Sequence, residues 1–167
     1  NFEFQFFYPA SEFVHKRIDL ATDSILAYNK ANQNTGLIIT AKGDNDLKNN
    51  LIFLGSISHK ESLERMNSCD AIIFTSEREA LGLPLLEALY FEKPAILPNL
   101  PYATEIYGDA AVYFDSFDVE SVKNAISTLY NNYDEYLAKV KNRKKEVWLM
   151  LKSWNYHWEI FVKQIYK

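Results

Sequence analysis

The sequence predicts an α/β fold, a doubly wound parallel sheet of about six strands with helices on both faces and a helical C-terminal tail. Three observations predict it. Short apolar runs alternate with helical patterns through the first two thirds of the chain, with brief connections between them. The first run, residues 2–8, is aromatic and nearly continuous, which is typical of a strand buried on both faces of a parallel sheet. The last third shows helical spacing alone.

The first half of the chain contains three predicted strands and two helices. After the aromatic run at 2–8, apolar residues at helical spacing predict a helix over 16–28. Apolar runs next to turn residues predict strands over 36–41 and 51–55. The sequence Ser58-His59-Lys60-Glu61 then spells a capping box, which predicts a helix that ends near residue 67.

The second half continues the alternation and then becomes helical. Apolar runs predict three more strands, over 70–75, 95–98 and 110–114. Pro84 suits a first helical position and opens a helix that ends at residue 91, and a short helix follows at 102–107. The remaining helices are predicted over 118–131, 134–151 and 153–166. This order is Rossmann-like, and the absence of a repeat or a flexible linker predicts one domain over 1–167.

Composition narrows the possible functions. The chain has 167 residues, 48% of them hydrophobic, and a net charge of −4, which argues against binding to nucleic acid. Its one cysteine, Cys69, excludes an internal disulfide framework and fits a reducing, cytoplasmic compartment. No signal peptide or apolar run of membrane-spanning length is readable. Because the chain starts on a core strand, we expect it to be part of a longer polypeptide.

The stretch 76–89 has the features of an anion site. It joins the predicted strand over 70–75 to the helix opened by Pro84, and Leu83 has no side-chain acceptor to cap that helix. The first turn therefore keeps free amides, with the positive end of the helix dipole behind them. Gly82 allows a phosphate to approach the backbone closely.

Two carboxylates flank this anion site. Glu79 precedes it and Glu87 follows in the predicted first turn of the helix, eight residues away. Carboxylates beside a phosphate would repel it unless they accept hydrogen bonds from neutral hydroxyls, as an acidic residue does for a ribose in dinucleotide folds. The pattern indicates a nucleotide that carries a sugar. Two simpler explanations stay open: Ser76 and Glu79 also spell a capping box, and Glu87 could merely favour the helix dipole.

This spacing, Glu79-x7-Glu87 with Gly82-Leu83-Pro84 inside it, resembles the E-x7-E signature of retaining family 4 glycosyltransferases of the GT-B fold. Other segments occur in the order of that family, namely Phe7-Tyr8-Pro9-Ala10, His15-Lys16, Leu51 to Gly55, Lys93-Pro94-Ala95-Ile96, Glu105 to Gly108, Asp109-Ala110-Ala111 and Ser153-Trp154. The resemblance thus covers most of the chain. One departure is Glu92, where the family usually has glycine at a helix end.

The resemblance implies roles for individual residues. Glu79 would contact hydroxyls of the donor sugar, and the amides of Leu81, Gly82 and Leu83 would face the sugar and diphosphate. Glu87 would accept hydrogen bonds from the ribose hydroxyls. These assignments make Glu79 a catalytic as well as a binding residue.

The loops after the first and third predicted strands complete the implied site. Lys16 would bind the diphosphate and share the catalytic role, whereas Ser11 stands where the family often has a second cation, for which Arg17 is the candidate substitute. Ser56 and Ile57 would contact the base through their backbone. No metal and no other cofactor is implied.

The implied protein is the C-terminal, donor-binding half of a retaining, metal-independent hexosyltransferase. It would present a UDP- or GDP-linked sugar to a saccharide or lipid-linked acceptor, with the acceptor held by an N-terminal domain absent from this chain. We expect the chain alone to bind donor weakly and to transfer nothing at a useful rate. Polysaccharide assembly for a bacterial cell envelope, at the inner face of the plasma membrane, is the implied setting.

Alternatives remain at this stage. A non-catalytic nucleotide-binding or regulatory module has some support from Ser11, where a cation is missing, while the intact Glu79 and Glu87 count against it. An epimerase or phosphorylase of the same fold would share the site. A dinucleotide oxidoreductase is disfavoured because no glycine follows Tyr8 in the first loop. The sequence Asp44-Asn45-Asp46 spells a D-x-D metal motif, but metal binding is disfavoured because turn chemistry already explains these residues. The apolar stripe of the helix over 153–166 could pack internally, against the missing domain or on a membrane.

Overall fold

The computed structural model describes residues 2–31 and 35–153. Its sheet contains β1 (Phe4–Tyr8), β2 (Thr35–Ile39), β3 (Leu51–Phe53), β4 (Ala71–Ile73), β5 (Ala95–Pro98) and β6 (Ala111–Phe114). The strands lie in the order β3-β2-β1-β4-β5-β6, and every pairing is parallel. Strand β1 is central, with Phe6 paired to Leu37 on one side and to Ala71 on the other. The predicted six-stranded, doubly wound parallel sheet is confirmed.

Six helices surround this sheet. They are α1 (Ile18–Asn29), α2 (His59–Ser68), α3 (Leu83–Tyr90), α4 (Pro101–Tyr107), α5 (Val119–Asn131) and α6 (Tyr133–Ser153), among the described residues. Helix α1 packs against α5, whereas α3 packs against α2, α4 and α6. The chain moves outward from β1 to β3 in one direction and from β4 to β6 in the other. Because crossovers between parallel strands are right-handed as a rule, this reversal places helices on both faces of the sheet. Beyond Ser153, the predicted helix over 153–166 lies outside the described residues.

The core explains why the strands read as continuous apolar runs. Helices cover both faces of the sheet, so successive residues of a strand are buried alike, as in Phe6, Phe7 and Tyr8 of β1, none of which is exposed. The same holds for Ile72 and Ile73 of β4. The predicted first strand began two residues too early, since β1 starts at Phe4.

Helix α3 ends with a glutamate at a position where helices usually have glycine. Glu92 has a φ of 57°, in the left-handed region that favours glycine. The N–H of Lys93 donates to the carbonyl of Ala88 at 2.9 Å, and the N–H of Glu92 donates to that of Leu89 at 3.1 Å, which is a Schellman motif. The helix therefore ends as the family pattern predicts, with a glutamate in the strained position. The Glu92 carboxylate accepts from Lys144 on α6 at 3.0 Å.

The topology determines where the site lies. Strand β1 is followed along the chain by β2 on one side, while β4 on its other side begins the second half of the sheet. At such a switch point the loops after the two central strands separate and leave a crevice at the carboxyl edge of the sheet. The crevice is lined by residues that follow β1, β2 and β3, by the start of α2, and by the first part of α3, which comes after β4.

Candidate functional site

A cleft of about 680 Å³ opens at the switch point. Five of the eight predicted site residues line it, namely Lys16, Ser56, Ile57, Leu83 and Glu87. The others in its lining are Pro9, Ala10, Ser11, Glu12, Phe13, Thr40, Ser58, His59, Ser62 and Pro84. Glu79 and Leu81 instead line an adjacent depression of about 450 Å³ beside α4. Gly82 lies at the start of α3 and lines neither.

The first loop is shaped by hydroxyl groups from the two central strands. The Tyr8 hydroxyl, on β1, donates to the carbonyl of Lys16. The Thr75 hydroxyl, just after β4, donates to the same carbonyl at 3.0 Å and to that of Arg17 at 2.8 Å. Burial raises the pKa of Tyr8, which keeps its phenol protonated as a donor. The sequence did not indicate either hydroxyl as part of the site.

These bonds correct the predicted helix over 16–28. Residues Val14–Lys16 form a turn of 3-10 helix, Arg17 adopts a left-handed φ of 47°, and α1 begins only at Ile18. Lys16 therefore lies in the loop and not in a first helical turn, and its residue is 8% exposed. The Lys16 carbonyl is thus bonded to Tyr8 of β1 and to Thr75 just after β4, and the lysine is buried between these elements.

Lys16 and Glu79 form an ion pair across the crevice. The Lys16 ammonium contacts the Glu79 carboxylate directly, and the two side chains are 10% and 14% exposed. The ammonium also lies 5.3 Å from the centre of the Phe74 ring. The two groups that the resemblance assigns to the diphosphate and the donor sugar are thus brought together by the loops after β1 and β4.

Arg17 does not take the place of a second cation in the cleft. Its guanidinium pairs with Glu77 at 2.9 Å and with Asp19 at 3.3 Å, and these hydrogen bonds raise its pKa. Ser11 does line the cleft. Within the described part of the chain, Lys16 is therefore the single lysine or arginine in the lining.

Helix α3 begins one residue earlier than predicted, with Gly82 as its N-cap and Pro84 as its second residue. Gly82 has φ 57° and ψ 38°, and a Cβ added there would lie 3.1 Å from Cδ1 of Ile106. The Gly82 carbonyl accepts the first helical bonds from Leu85 and Leu86. The N–H groups of Gly82 and Leu83 have no acceptor among the described residues, as expected for an uncapped helix start.

Glu87 is buried and faces His59. It is the fifth residue of α3, so the predicted position in the first turn is wrong and the dipole explanation loses its basis. Its side chain is 6% exposed, and its Oε1 lies 2.7 Å from Nε2 of His59. Burial raises the pKa of the Glu87 carboxyl, and the hydrogen bond and charge of His59 oppose that rise.

His59 also lines the cleft, although the sequence indicates for it only a position in a capping box. The predicted capping box is present, because the Ser58 side chain accepts from the Glu61 N–H while the Glu61 carboxylate accepts from the Ser58 N–H. Within that box His59 is the first helical residue of α2, and its ring reaches α3. No local signal could reveal the contact, since it joins positions 28 residues apart.

The D-x-D sequence lies in the loop before β3. The Asn45 side chain accepts from the N–H of Phe53 at 2.6 Å, and Asp46 accepts from the side chain of Asn49 at 2.7 Å. These are loop-forming contacts. Among the described residues, no three His, Cys, Asp or Glu side chains are grouped to hold a metal ion.

The comparisons with known proteins agree with this geometry. A family model described as "Glycosyl transferases group 1" matches residues 28–147, a range that contains most of the sheet and both glutamates of the E-x7-E spacing. The chain belongs to this family. The resemblance stated from the sequence is therefore confirmed at the level of the family.

Relatives of this group 1 glycosyltransferase chain include the O-antigen chain mannosyltransferase RfbU of Salmonella typhimurium. The two are 27% identical over an alignment of 99 residues, and the match covers 54% of this chain and 28% of RfbU. The crystal structure of TarM has a TM-score of 0.73 at 18% identity, covering 92% of this chain and 35% of TarM. That of Anabaena Alr3699/HepE with UDP and glucose has a TM-score of 0.71 at 17% identity, covering 85% and 42%.

The likeness to these two solved structures confirms the predicted Rossmann-like architecture. The chain spans less than half the length of each of these three proteins. Within the described residues, no helix is both long and apolar enough to cross a membrane.

Proposed function

We propose that this chain is the donor-binding domain of a retaining glycosyltransferase and that the cleft at the switch point binds a UDP- or GDP-linked hexose. The observation that carries the proposal is the buried carboxylate of Glu87 in the cleft wall. A buried carboxylate needs hydrogen-bond donors, and a nucleotide supplies neutral ones in its ribose hydroxyls. Such hydroxyls can approach Glu87 without bringing negative charge to it.

The positive groups of the cleft suit the diphosphate of the same ligand. Lys16 lies in its lining, and the free N–H groups at the start of α3 carry the partial positive charge of the helix end. As the bond from sugar to nucleotide breaks, negative charge grows on the leaving diphosphate. Fixed donors in a partly enclosed site stabilise that charge, and this would be the main catalytic contribution of the domain.

Glu79 is proposed to bind the donor sugar. Its carboxylate is held by Lys16 at the boundary between the cleft and the depression beside α4, so a sugar bound there would lie next to the diphosphate site. The Lys16 ammonium would then contact both groups. Leu81 and its neighbouring amides border the same region.

The remaining parts of the proposal come from the family. HepE was crystallised with UDP and glucose, and RfbU is named a mannosyltransferase, which supports a nucleotide-linked hexose as the donor. An N-terminal domain outside this chain would hold a saccharide or lipid-linked acceptor, at the cytoplasmic face of a membrane. Attack on the face that the nucleotide leaves, with the leaving diphosphate as proton acceptor, would retain the anomeric configuration without a metal or another cofactor.

Calorimetric titration tests the binding site. The chain is titrated with UDP, GDP and ADP and with their hexose conjugates, with and without Mg²⁺. We expect metal-independent binding of one nucleotide class and a tenfold or greater loss in Glu87→Gln, because a carboxylate that accepts from two hydroxyls is replaced by an amide. Glu64→Gln on the exposed side of α2 is the matched control and should bind normally. Equal binding by the Glu87 and Glu64 variants would refute the site.

A non-catalytic nucleotide-binding module would pass the titration, so a second measurement separates it. The chain is joined to its N-terminal domain, and sugar transfer and the anomeric configuration of the product are followed. Transfer with retention, lost in Glu79→Gln, is the expected result. Nucleotide binding without transfer by the joined protein would favour the module, and an isomerised or phosphorolysed sugar would identify an epimerase or a phosphorylase.

A further inference from the structure

His59 forms a contact between helices α2 and α3, each of which lines the cleft. It is the first residue of α2, after the loop that follows β3, whereas Glu87 belongs to α3 after the loop that follows β4. Nε2 of His59 lies 2.7 Å from Oε1 of Glu87, which is hydrogen-bonding distance. Both residues line the cleft.

The direction of this hydrogen bond follows from its partner. An ionised carboxylate only accepts, so the proton lies on Nε2 of His59 and is donated to Oε1. The Glu87 side chain is 6% exposed and the His59 side chain 54% exposed. The buried group is therefore held by a donor that reaches it from the solvent side. In the described part of the chain, His59 is the hydrogen-bond partner of the Glu87 side chain.

We propose that His59 is a positioning residue for donor binding: it fixes the ionised Glu87 carboxylate through Oε1 and leaves Oε2 to accept the hydroxyls of the bound nucleotide. The inference rests on the proposed function. It extends that function to a residue outside the E-x7-E spacing. A carboxylate held at one oxygen loses its rotational freedom before the ligand arrives, so less entropy is lost on binding.

The other charged residues of the cleft lining have partners other than Glu87. The other titratable residues in the cleft lining are Lys16 and Glu12. Lys16 is paired with Glu79, and Glu12 accepts from the N–H of Lys42 at 3.2 Å with its side chain 52% exposed. Neither forms a hydrogen bond with Glu87.

The role predicts a pH dependence with a definite sign. Binding of hydroxyls by Glu87 requires the ionised carboxylate, so donor affinity falls as the pH drops through the pKa of Glu87. Burial raises that pKa and His59 lowers it. Removal of His59 should therefore raise the pKa further and move the acid loss of binding to higher pH.

Three variants test the proposal by calorimetry with the preferred nucleotide between pH 5 and pH 8. His59→Ala removes the donor and should bind about tenfold more weakly at pH 7, with its acid midpoint at higher pH than in the wild type. His59→Gln retains an N–H at a similar reach and should restore most of the affinity. Lys60→Ala, at the next and exposed residue of α2, should match the wild type at every pH.

A second readout separates this inference from the proposed function. NMR titration of the Glu87 carboxyl in the ligand-free chain should show a higher pKa in His59→Ala than in the wild type. If the wild type binds nucleotide and the alanine variant has the same affinity and the same midpoint, the positioning role is overturned while the proposed function stands. If no nucleotide binds and His59→Ala leaves the pKa of Glu87 unchanged, both are overturned. If no nucleotide binds but His59→Ala raises the pKa of Glu87, the proposed function and the role of His59 in donor binding are overturned. The hydrogen bond between His59 and Glu87 is then still supported.

Discussion

Removal of either charge from the Lys16–Glu79 ion pair should destabilise the fold, and removal of both should cost no more than removal of one. The relevant variants are Lys16→Met and Glu79→Gln, which keep the approximate length of each side chain. Each single variant leaves the opposite charge in a poorly solvated position. The double variant leaves neither charge of the pair.

The expected magnitude follows from the burial of the two side chains. Loss of one partner from a fully buried pair typically costs about 3–5 kcal/mol. Here the side chains retain 10% and 14% of their exposure, and water can reach the remaining charge. We therefore expect each single variant to lose about 2 kcal/mol of unfolding free energy. The double variant should also lose about 2 kcal/mol, which corresponds to a coupling energy of about 2 kcal/mol.

Urea unfolding of the four proteins measures these values, with the m-value as a check that the denatured state is unchanged. Lys139→Met serves as the matched control because its pair with Glu135 lies on the surface within α6 and should contribute less than about 1 kcal/mol. Losses that simply add, to within about 0.5 kcal/mol, would refute the argument, since they would show that the two charges do not interact in the folded state.

Three further predictions concern the two ends of α3, at Glu92 and Gly82, and the hydroxyl of Tyr8. Glu92→Gly should raise the unfolding free energy in urea by about 0.5 kcal/mol, because relief of the left-handed strain outweighs loss of the partly exposed ion pair with Lys144. Glu92→Gln loses the charge but keeps the strain, so it should not stabilise the protein. Gly82→Ala should cost about 1–2 kcal/mol because of its left-handed φ, and should weaken nucleotide binding in calorimetry; unchanged binding would contradict the role of this helix start. Tyr8→Phe should cost about 1 kcal/mol in urea unfolding, because the Lys16 carbonyl loses one of its donors; an unchanged midpoint would contradict this.

The fold was predictable from sequence because its signals are local and repeated. Continuous apolar runs, such as Phe6-Phe7-Tyr8, occur where helices cover both faces of a sheet, and the structure places all six predicted strands. The fifth strand was predicted with its observed bounds. Errors lie at element ends. The start of α1 was misplaced because Arg17 adopts a left-handed conformation, which an arginine in the sequence does not indicate.

The site was predictable only in part. The E-x7-E spacing identified Glu87, and the structure places that residue in the cleft. The contact of His59 with Glu87 arises from the meeting of two loops, so it depends on tertiary structure. The capping box gave His59 a sufficient local explanation, so the sequence did not indicate its contact with Glu87. The roles of Glu79, Lys16 and the base-contacting residues stay predictions until a nucleotide is bound.

The hydroxyls of Tyr8 and Thr75 have a consequence for protein engineering. Both donate to the Lys16 carbonyl, so the conformation of the first loop is determined from inside the two central strands. A chimera that exchanges this loop alone with that of a relative would separate it from the groups that shape it. Transplantation of this loop within the family should therefore move Tyr8 and Thr75 together with it, as one unit that is discontinuous in sequence.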